Sequence, residues 1–63
     1  METIINGVQY KYTNVPAFGP KILSFVNIGG GQWVNDTETS LAGPIESFEE
    51  FRRISKEIDD RYN

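Results

Sequence analysis

The side chains available for chemistry in this chain are carboxylates, lysines, tyrosines and hydroxyls, because the sequence contains neither His nor Cys. Without those two residue types, no Ser-His-Asp triad, Cys-His dyad or ordinary zinc site can form. Neighbouring acids occur at Glu49-Glu50 and Asp59-Asp60, but adjacent positions point about 100° apart around a helix and do not converge on one substrate atom. We expect these acids to cap a helix or lie on a solvated face, and we expect no enzymatic activity.

Two further patterns resemble parts of metal or phosphate sites. Asp36 and Glu38 would share one face of an extended strand, and their two carboxylates could supply the first ligands of a magnesium or calcium site. The sequence offers no further ligands for such a site. We therefore interpret the two acids as an acidic strand edge that discourages aggregation. Gly29-Gly30-Gly31 is not followed by the Lys-Ser/Thr of a phosphate loop, so it predicts a hairpin turn. We therefore expect no metal and no cofactor.

The size and charge of the chain restrict the class of protein to which it can belong. Residues 1–63 are expected to form a single small domain, with four Phe, three Tyr and one Trp to build its core. A net charge of −3 and a pI near 4.6 disfavour nucleic acid as a partner, because phosphate-binding surfaces are basic. No basic segment precedes an apolar run at the N-terminus, and no apolar stretch has transmembrane length. A cytoplasmic protein without membrane association is expected.

The first ten or so residues predict a β-hairpin. Asn6-Gly7 between β-forming residues supplies the positive φ angles of a two-residue type I′ turn. In that register Ile5 faces Val8 and Thr3 faces Tyr10 on one apolar side, which Tyr12 continues. Ile4 and Gln9 then face each other on the opposite side.

A second hairpin is predicted after a connection. Pro16, Gly19 and Pro20 indicate an irregular connection from residue 13 to residue 20. Residues 21–28 follow as a central strand with apolar residues on both faces, and a fourth strand begins at Gln32 and extends to residue 35, 37 or 39. A two-residue and a three-residue glycine turn remain possible; we favour the three-residue turn, which places Leu23, Phe25 and Trp33 on one face.

The last third of the sequence predicts a helix that begins at Ser47. Ser47-Phe48-Glu49-Glu50 matches a capping box. One apolar stripe recurs at helical spacing and comprises Phe48, Phe51, Ile54, Ile58 and Tyr62. Charges of alternating sign four residues apart, such as Glu49–Arg53, predict a solvated opposite face.

The elements combine into an α+β fold of order β-β-β-β-α, in which two antiparallel hairpins form a sheet of about four strands and the helix packs on one face. One helix leaves the second face uncovered, and that face predicts a partner-binding or self-association surface. We assign this surface to Ile22, Val26, Ile28 and Val34, together with Gly30 in the glycine turn and Trp33 beside it. Which face the helix covers depends on the register of the second hairpin.

The resulting hypothesis is a small non-catalytic protein-binding module, an inhibitor or adaptor of a larger protein. By analogy of size and composition, a phage-type inhibitor of a host defence enzyme is one example. Self-association into a homo-oligomer would cover the same surface. Two alternatives remain: an accessory factor that stacks single-stranded nucleic acid on Tyr10, Tyr12 and Trp33, and a noncatalytic subunit of an enzyme complex.

Overall fold

The fold is a four-stranded antiparallel sheet with one helix on one side. The structure is a computed structural model that describes residues 1–62. Its strands are β1 (Glu2–Ile5), β2 (Val8–Val15), β3 (Gly19–Asn27) and β4 (Trp33–Ser40), and the helix is α1 (Phe48–Tyr62). The strands pair in chain order, β1-β2-β3-β4, so β1 and β4 are the edges. The predicted α+β fold with order β-β-β-β-α is confirmed.

The first hairpin has the predicted turn and register. Asn6 and Gly7 have φ angles of 50° and 80°, as a type I′ turn requires. Ile5 pairs with Val8 and Thr3 with Tyr10. Because this turn connects strands without splaying them, the apolar sides of β1 and β2 lie on the same face of the sheet.

The predicted irregular connection at residues 13–20 is wrong. β2 continues to Val15 and β3 begins at Gly19, so only Pro16, Ala17 and Phe18 connect them. The Phe18 N–H closes the turn by donating to the Val15 carbonyl at 2.9 Å. Proline restricts the preceding residue to extended geometry, which a strand also uses. Pro20 therefore lies within β3, opposite Asn14.

The glycine turn between β3 and β4 has the three-residue register. Asn27 pairs with Trp33, and the Ile28 N–H donates to the Gln32 carbonyl at 3.0 Å. Gly30, at the tip, has a φ of 61°, a left-handed conformation that residues with a side chain rarely adopt. The prediction that Leu23, Phe25 and Trp33 share one face is confirmed.

The helix begins where the capping pattern predicts. The Glu50 N–H donates to the Ser47 hydroxyl at 3.1 Å, which satisfies one of the free donors of the first turn. Its buried face consists of Phe51, Ser55, Ile58 and Asp59. Phe48 and Tyr62, at the two ends of the predicted stripe, are exposed.

The prediction that the helix leaves the Ile22 and Val26 face uncovered is wrong. Ile22 is only 1% exposed and lies in the core, which comprises Tyr10, Ile22, Ile45, Phe51 and Ile58. The pairing of β2 with β3 explains the outcome, because it aligns Tyr12 with Ile22, Tyr10 with Ser24 and Val8 with Val26. The apolar side of the first hairpin therefore continues onto this side of β3, and the helix covers the combined surface.

Candidate functional site

The candidate functional site is the face of the sheet opposite the helix, which we call the open face. The strand pairing places Glu2, Ile4, Gln9, Lys11, Lys21, Leu23, Phe25, Trp33 and Glu38 on it. Within residues 1–62, the helix and the segment from Leu41 to Ile45 pack on the other side. Ile4 and Trp33 are 55% and 38% exposed. Apolar and aromatic side chains therefore meet solvent on this face.

Lysines lie beside the aromatic rings at the centre and one end of the open face. The Lys11 Nζ lies 5.1 Å from the centroid of the Phe25 ring, and the Lys21 Nζ lies 5.5 Å from that of Phe18. Lys21 also pairs with Glu38 at 3.6 Å. Such cation–π contacts orient the lysine stems over the rings. The open face combines aromatic area with charges of both signs.

The structure separates the six residues that the sequence assigned to partner binding. Trp33 lies on the open face, whereas Ile22 lies in the core and is inaccessible to a partner. Val26 and Val34 pair with each other on the helix side of the sheet. Ile28 is 61% exposed beside the glycine turn, and Gly30 is exposed at its tip. Only Trp33 of this set thus joins the open face; the residues that the sequence assignment missed there include Leu23 and Phe25.

The platform proposed for single-stranded nucleic acid is not assembled as predicted. Tyr10 is buried under the helix and Tyr12 is half-buried on the same side, where its hydroxyl accepts from the Ile45 N–H at 3.1 Å. Trp33 lies on the opposite face. Since these three rings do not share an accessible surface, they cannot stack successive bases together.

A β-bulge in β4 places Asp36 and Glu38 on opposite faces. Ser24 pairs with Thr37 and Phe25 with Asn35, which leaves Asp36 as an extra residue. The Asn35 amide holds the bulge by donating to the carbonyls of Ser24 and Thr37, at 3.1 and 3.3 Å. Bulges change the direction of side chains in this way. The expected shared face for the two acids is therefore wrong, and they cannot bind one metal ion together.

Asp36 instead lies at a cleft between the end of the helix and the last two strands. The cleft has a volume of about 180 Å³ and is lined by Val8, Tyr10, Ser24, Val26, Asp36, Thr37, Ile58 and Tyr62. The hydroxyls of Ser24 and Thr37 are 2.6 Å apart and bond to each other. The remaining walls are mostly apolar, so Asp36 supplies the charge of the cleft.

A buried carboxylate joins the helix to the first hairpin. Asp59 is 0% exposed; one of its oxygens accepts from the Tyr10 hydroxyl at 2.8 Å and the other from the Asn6 amide at 2.7 Å. Burial raises the pKa of Tyr10 well above its ordinary value, and the hydrogen bond to Asp59 and the charges of Asp59 and Asp36 raise it further. Since this carboxylate is inaccessible and bonded at both oxygens, it positions elements and does not meet a substrate. The sequence interpretation of Asp59 as a capping or solvated residue is wrong.

Comparison of the chain with protein-family models, curated proteins and solved structures finds no significant match. The described part of the chain contains no helix that is both long and apolar enough to cross a membrane.

Proposed function

We propose that the protein is a small non-catalytic binding module, an inhibitor or adaptor, that docks its open face against a larger protein. The observation that carries the proposal is that Ile4 and Trp33 are exposed, and Leu23 and Phe25 partly exposed, on a sheet face that no element of residues 1–62 covers. Leaving such area in water is unfavourable by roughly 25 cal/mol per Å². Covering this area favours association, and only the part that exceeds the entropic cost of binding appears as affinity.

The composition of the open face favours a protein partner. Tryptophan and phenylalanine are enriched at protein interfaces, and the open face has Phe25 on the inner strand β3 and Trp33 at the start of the edge strand β4. A standard interface covers about 800 Å² of each partner, which is roughly a fifth of the 4243 Å² of accessible surface of this chain. A specific complex would therefore cover a large share of the surface of this small protein.

The charges on the open face favour a protein over nucleic acid. Lys11 and Lys21 are balanced by Glu2 and Glu38 on the same face, and Lys21 is already paired with Glu38. Nucleic-acid binding derives much of its affinity from a surplus of cations along the backbone. This face has no such surplus.

A second copy of the chain is the alternative occupant of the open face, because a symmetric dimer apposes the same patch of both copies. Glu2 and Lys11 are neighbours across the first hairpin on this face, so the open face presents charges of both signs to either occupant. Affinity purification with a tagged chain distinguishes a larger protein from a second copy. Among binding modules of this kind, a phage-encoded inhibitor of a host defence enzyme fits the size and acidity of the chain.

The test is affinity purification from the source cells with a tagged chain, followed by reconstitution with the purified partner. Trp33→Ser should weaken the reconstituted complex by at least about 30-fold, as expected of a hot-spot residue. Phe48→Ser is the matched control, because Phe48 is half-exposed on the helix, opposite the open face. Equal affinities of the two variants would refute the proposal, as would a chain that captures only itself or only single-stranded nucleic acid.

A further inference from the structure

The cleft beside β4 has the size and lining of a site for one amphipathic side chain. Its volume of about 180 Å³ is smaller than the roughly 300–1,000 Å³ of pockets that hold metabolites. Val8, Val26 and Ile58 provide apolar walls, and Tyr62, which is exposed, also lines the cleft. These walls suit an aliphatic stem that leads to a polar head.

The charge of the cleft selects a cationic head. The bulge held by Asn35 directs Asp36 to the cleft, and Asp36 has no ion pair with any residue from 1 to 62. The last turn of the helix, which contributes Tyr62, carries the partial negative charge of the helix C-terminus. An aliphatic stem with a cationic head is a lysine or an arginine side chain.

Arginine fits this arrangement better than lysine. A guanidinium can donate two parallel hydrogen bonds to one carboxylate, and its flat face stacks on aromatic rings. The cleft offers both partners, the Asp36 carboxylate and the Tyr62 ring. A lysine ammonium would use the charge of Asp36 but not the planar contact.

The edge of the sheet next to the cleft can position such a side chain. β4 has eight residues and is an edge strand, so its outer backbone groups can pair with an added strand. Alternate side chains of that strand would project toward the helix side, where the cleft lies. A second copy of β4 would bring Asp36 and Glu38 against the same acids, and like charges across strands are unfavourable. On the helix side of this edge, the Asp36 carboxylate instead favours a cationic segment.

We propose that β4 pairs with an extended, cationic segment of a protein and that an arginine of this segment enters the cleft, with its guanidinium on Asp36 and its plane on Tyr62. The inference deepens the proposed function, since it names the partner as a protein and describes one segment of it. The cleft lies on the helix side of the sheet, opposite the open face, so the two proposals can fail separately.

The probe is a blocked pentapeptide, Thr-Val-Arg-Val-Thr, titrated into the isotope-labelled protein at low salt and followed by amide NMR shifts. Peptides with citrulline or lysine at the centre have the same length and strand propensity. We expect shifts in β4 and the cleft, a Kd at least about tenfold weaker for the citrulline peptide, which lacks the charge, and an intermediate Kd for the lysine peptide.

Two protein variants complete the test. Asp36→Asn should weaken binding of the arginine peptide by at least about tenfold, whereas Glu38→Gln removes the same charge from the opposite face of the same strand and should change the Kd by less than about twofold. Any one of four results would overturn the inference. These are an equal loss of affinity in both variants, equal Kd values for the arginine and citrulline peptides, amide shifts confined to the open face, and no binding of the peptide. Ile4→Ser, on the open face of β1 at the opposite edge of the sheet, should leave peptide binding unchanged, which separates this result from the open-face proposal.

Discussion

Replacement of Asp59 by Ala tests how the helix is fixed to the first hairpin. The carboxylate accepts from the Tyr10 hydroxyl at 2.8 Å and the Asn6 amide at 2.7 Å, and hydrogen bonds to a charged group contribute about 1.5–3 kcal/mol each. The Ala variant loses both hydrogen bonds, and removal of a desolvated charge offsets part of this loss. We expect the free energy of unfolding to decrease by about 3–5 kcal/mol. Small domains of this length have roughly 3–9 kcal/mol in total.

A loss of this size could leave the Ala variant unfolded, so a double-mutant cycle uses a milder change. Asp59→Asn retains one carbonyl acceptor and should lose about 1–3 kcal/mol. Tyr10→Phe removes the hydroxyl alone. Because the two groups bond directly, the double variant should show a coupling of about 0.5–3 kcal/mol, whereas independent sites would be additive.

The assay is urea unfolding followed by far-UV circular dichroism. Arg52→Ala is the control, because its bond to the Thr3 hydroxyl at 2.7 Å also joins the helix to β1 but is exposed; it should lose less than about 1 kcal/mol. If Asp59→Ala loses as little as the control, or if the cycle is additive, the buried carboxylate does not fix the helix and the reasoning is refuted.

The remaining predictions concern the core and its titration. The pKa of Tyr10 is raised in the folded state, so the stability that its neutral hydroxyl contributes is present below the unfolded pKa of about 10 and is lost as the pH rises above that value. Urea unfolding at increasing alkaline pH should therefore show a steeper loss of stability for the wild type than for Tyr10→Phe. Parallel curves for the two proteins would contradict this prediction. Phe51→Ala should destabilise the protein by about 3–5 kcal/mol, since Phe51 is fully buried. Glu49→Gln, on the outer face of the helix, is the control and should leave the stability nearly unchanged. A loss below about 1 kcal/mol for Phe51→Ala would show that the helix does not pack as described. The buried Ser55 hydroxyl has no hydrogen-bond partner within residues 1–62, so Ser55→Ala should raise the free energy of unfolding by about 1 kcal/mol, and a decrease in the same urea assay would contradict it.

The elements that the sequence predicts well have local chemical signals. Asn6-Gly7 specifies its turn because both residues accept positive φ angles. Three glycines connect β3 and β4 in the favoured register, and Ser47 begins the helix through its hydroxyl. Each of these features depends on a few neighbouring residues, so the sequence alone is sufficient.

The choice of sheet face depends on long-range pairing that has no such signal. Apolar residues lie on both sides of β3, and only the register with β2 shows that Ile22 continues the side of Tyr12. The prolines predicted a long connection between β2 and β3, so the pairing of these two strands was not expected from the sequence. The sequence therefore identified one uncovered face but assigned it to the wrong side.

Polar residues in the core were also missed, for a related reason. Asp59 is buried because Tyr10 and Asn6, some fifty residues earlier, provide donors for its oxygens; a charged residue without such partners would lie in solvent. The bulge at Asp36 is likewise stabilised by the side chain of Asn35. Helical periodicity and strand alternation cannot show either arrangement.

Site-specific photo-crosslinking in the source cells tests most directly whether the open face is the binding surface. A benzophenone amino acid replaces Phe25 in one variant and Phe48, on the helix side, in the other. If the open face binds the partner, a covalent adduct with a larger protein should form from position 25 and none from position 48. An adduct from position 48 alone, a dimer of the chain alone, or no adduct from position 25 would contradict this prediction.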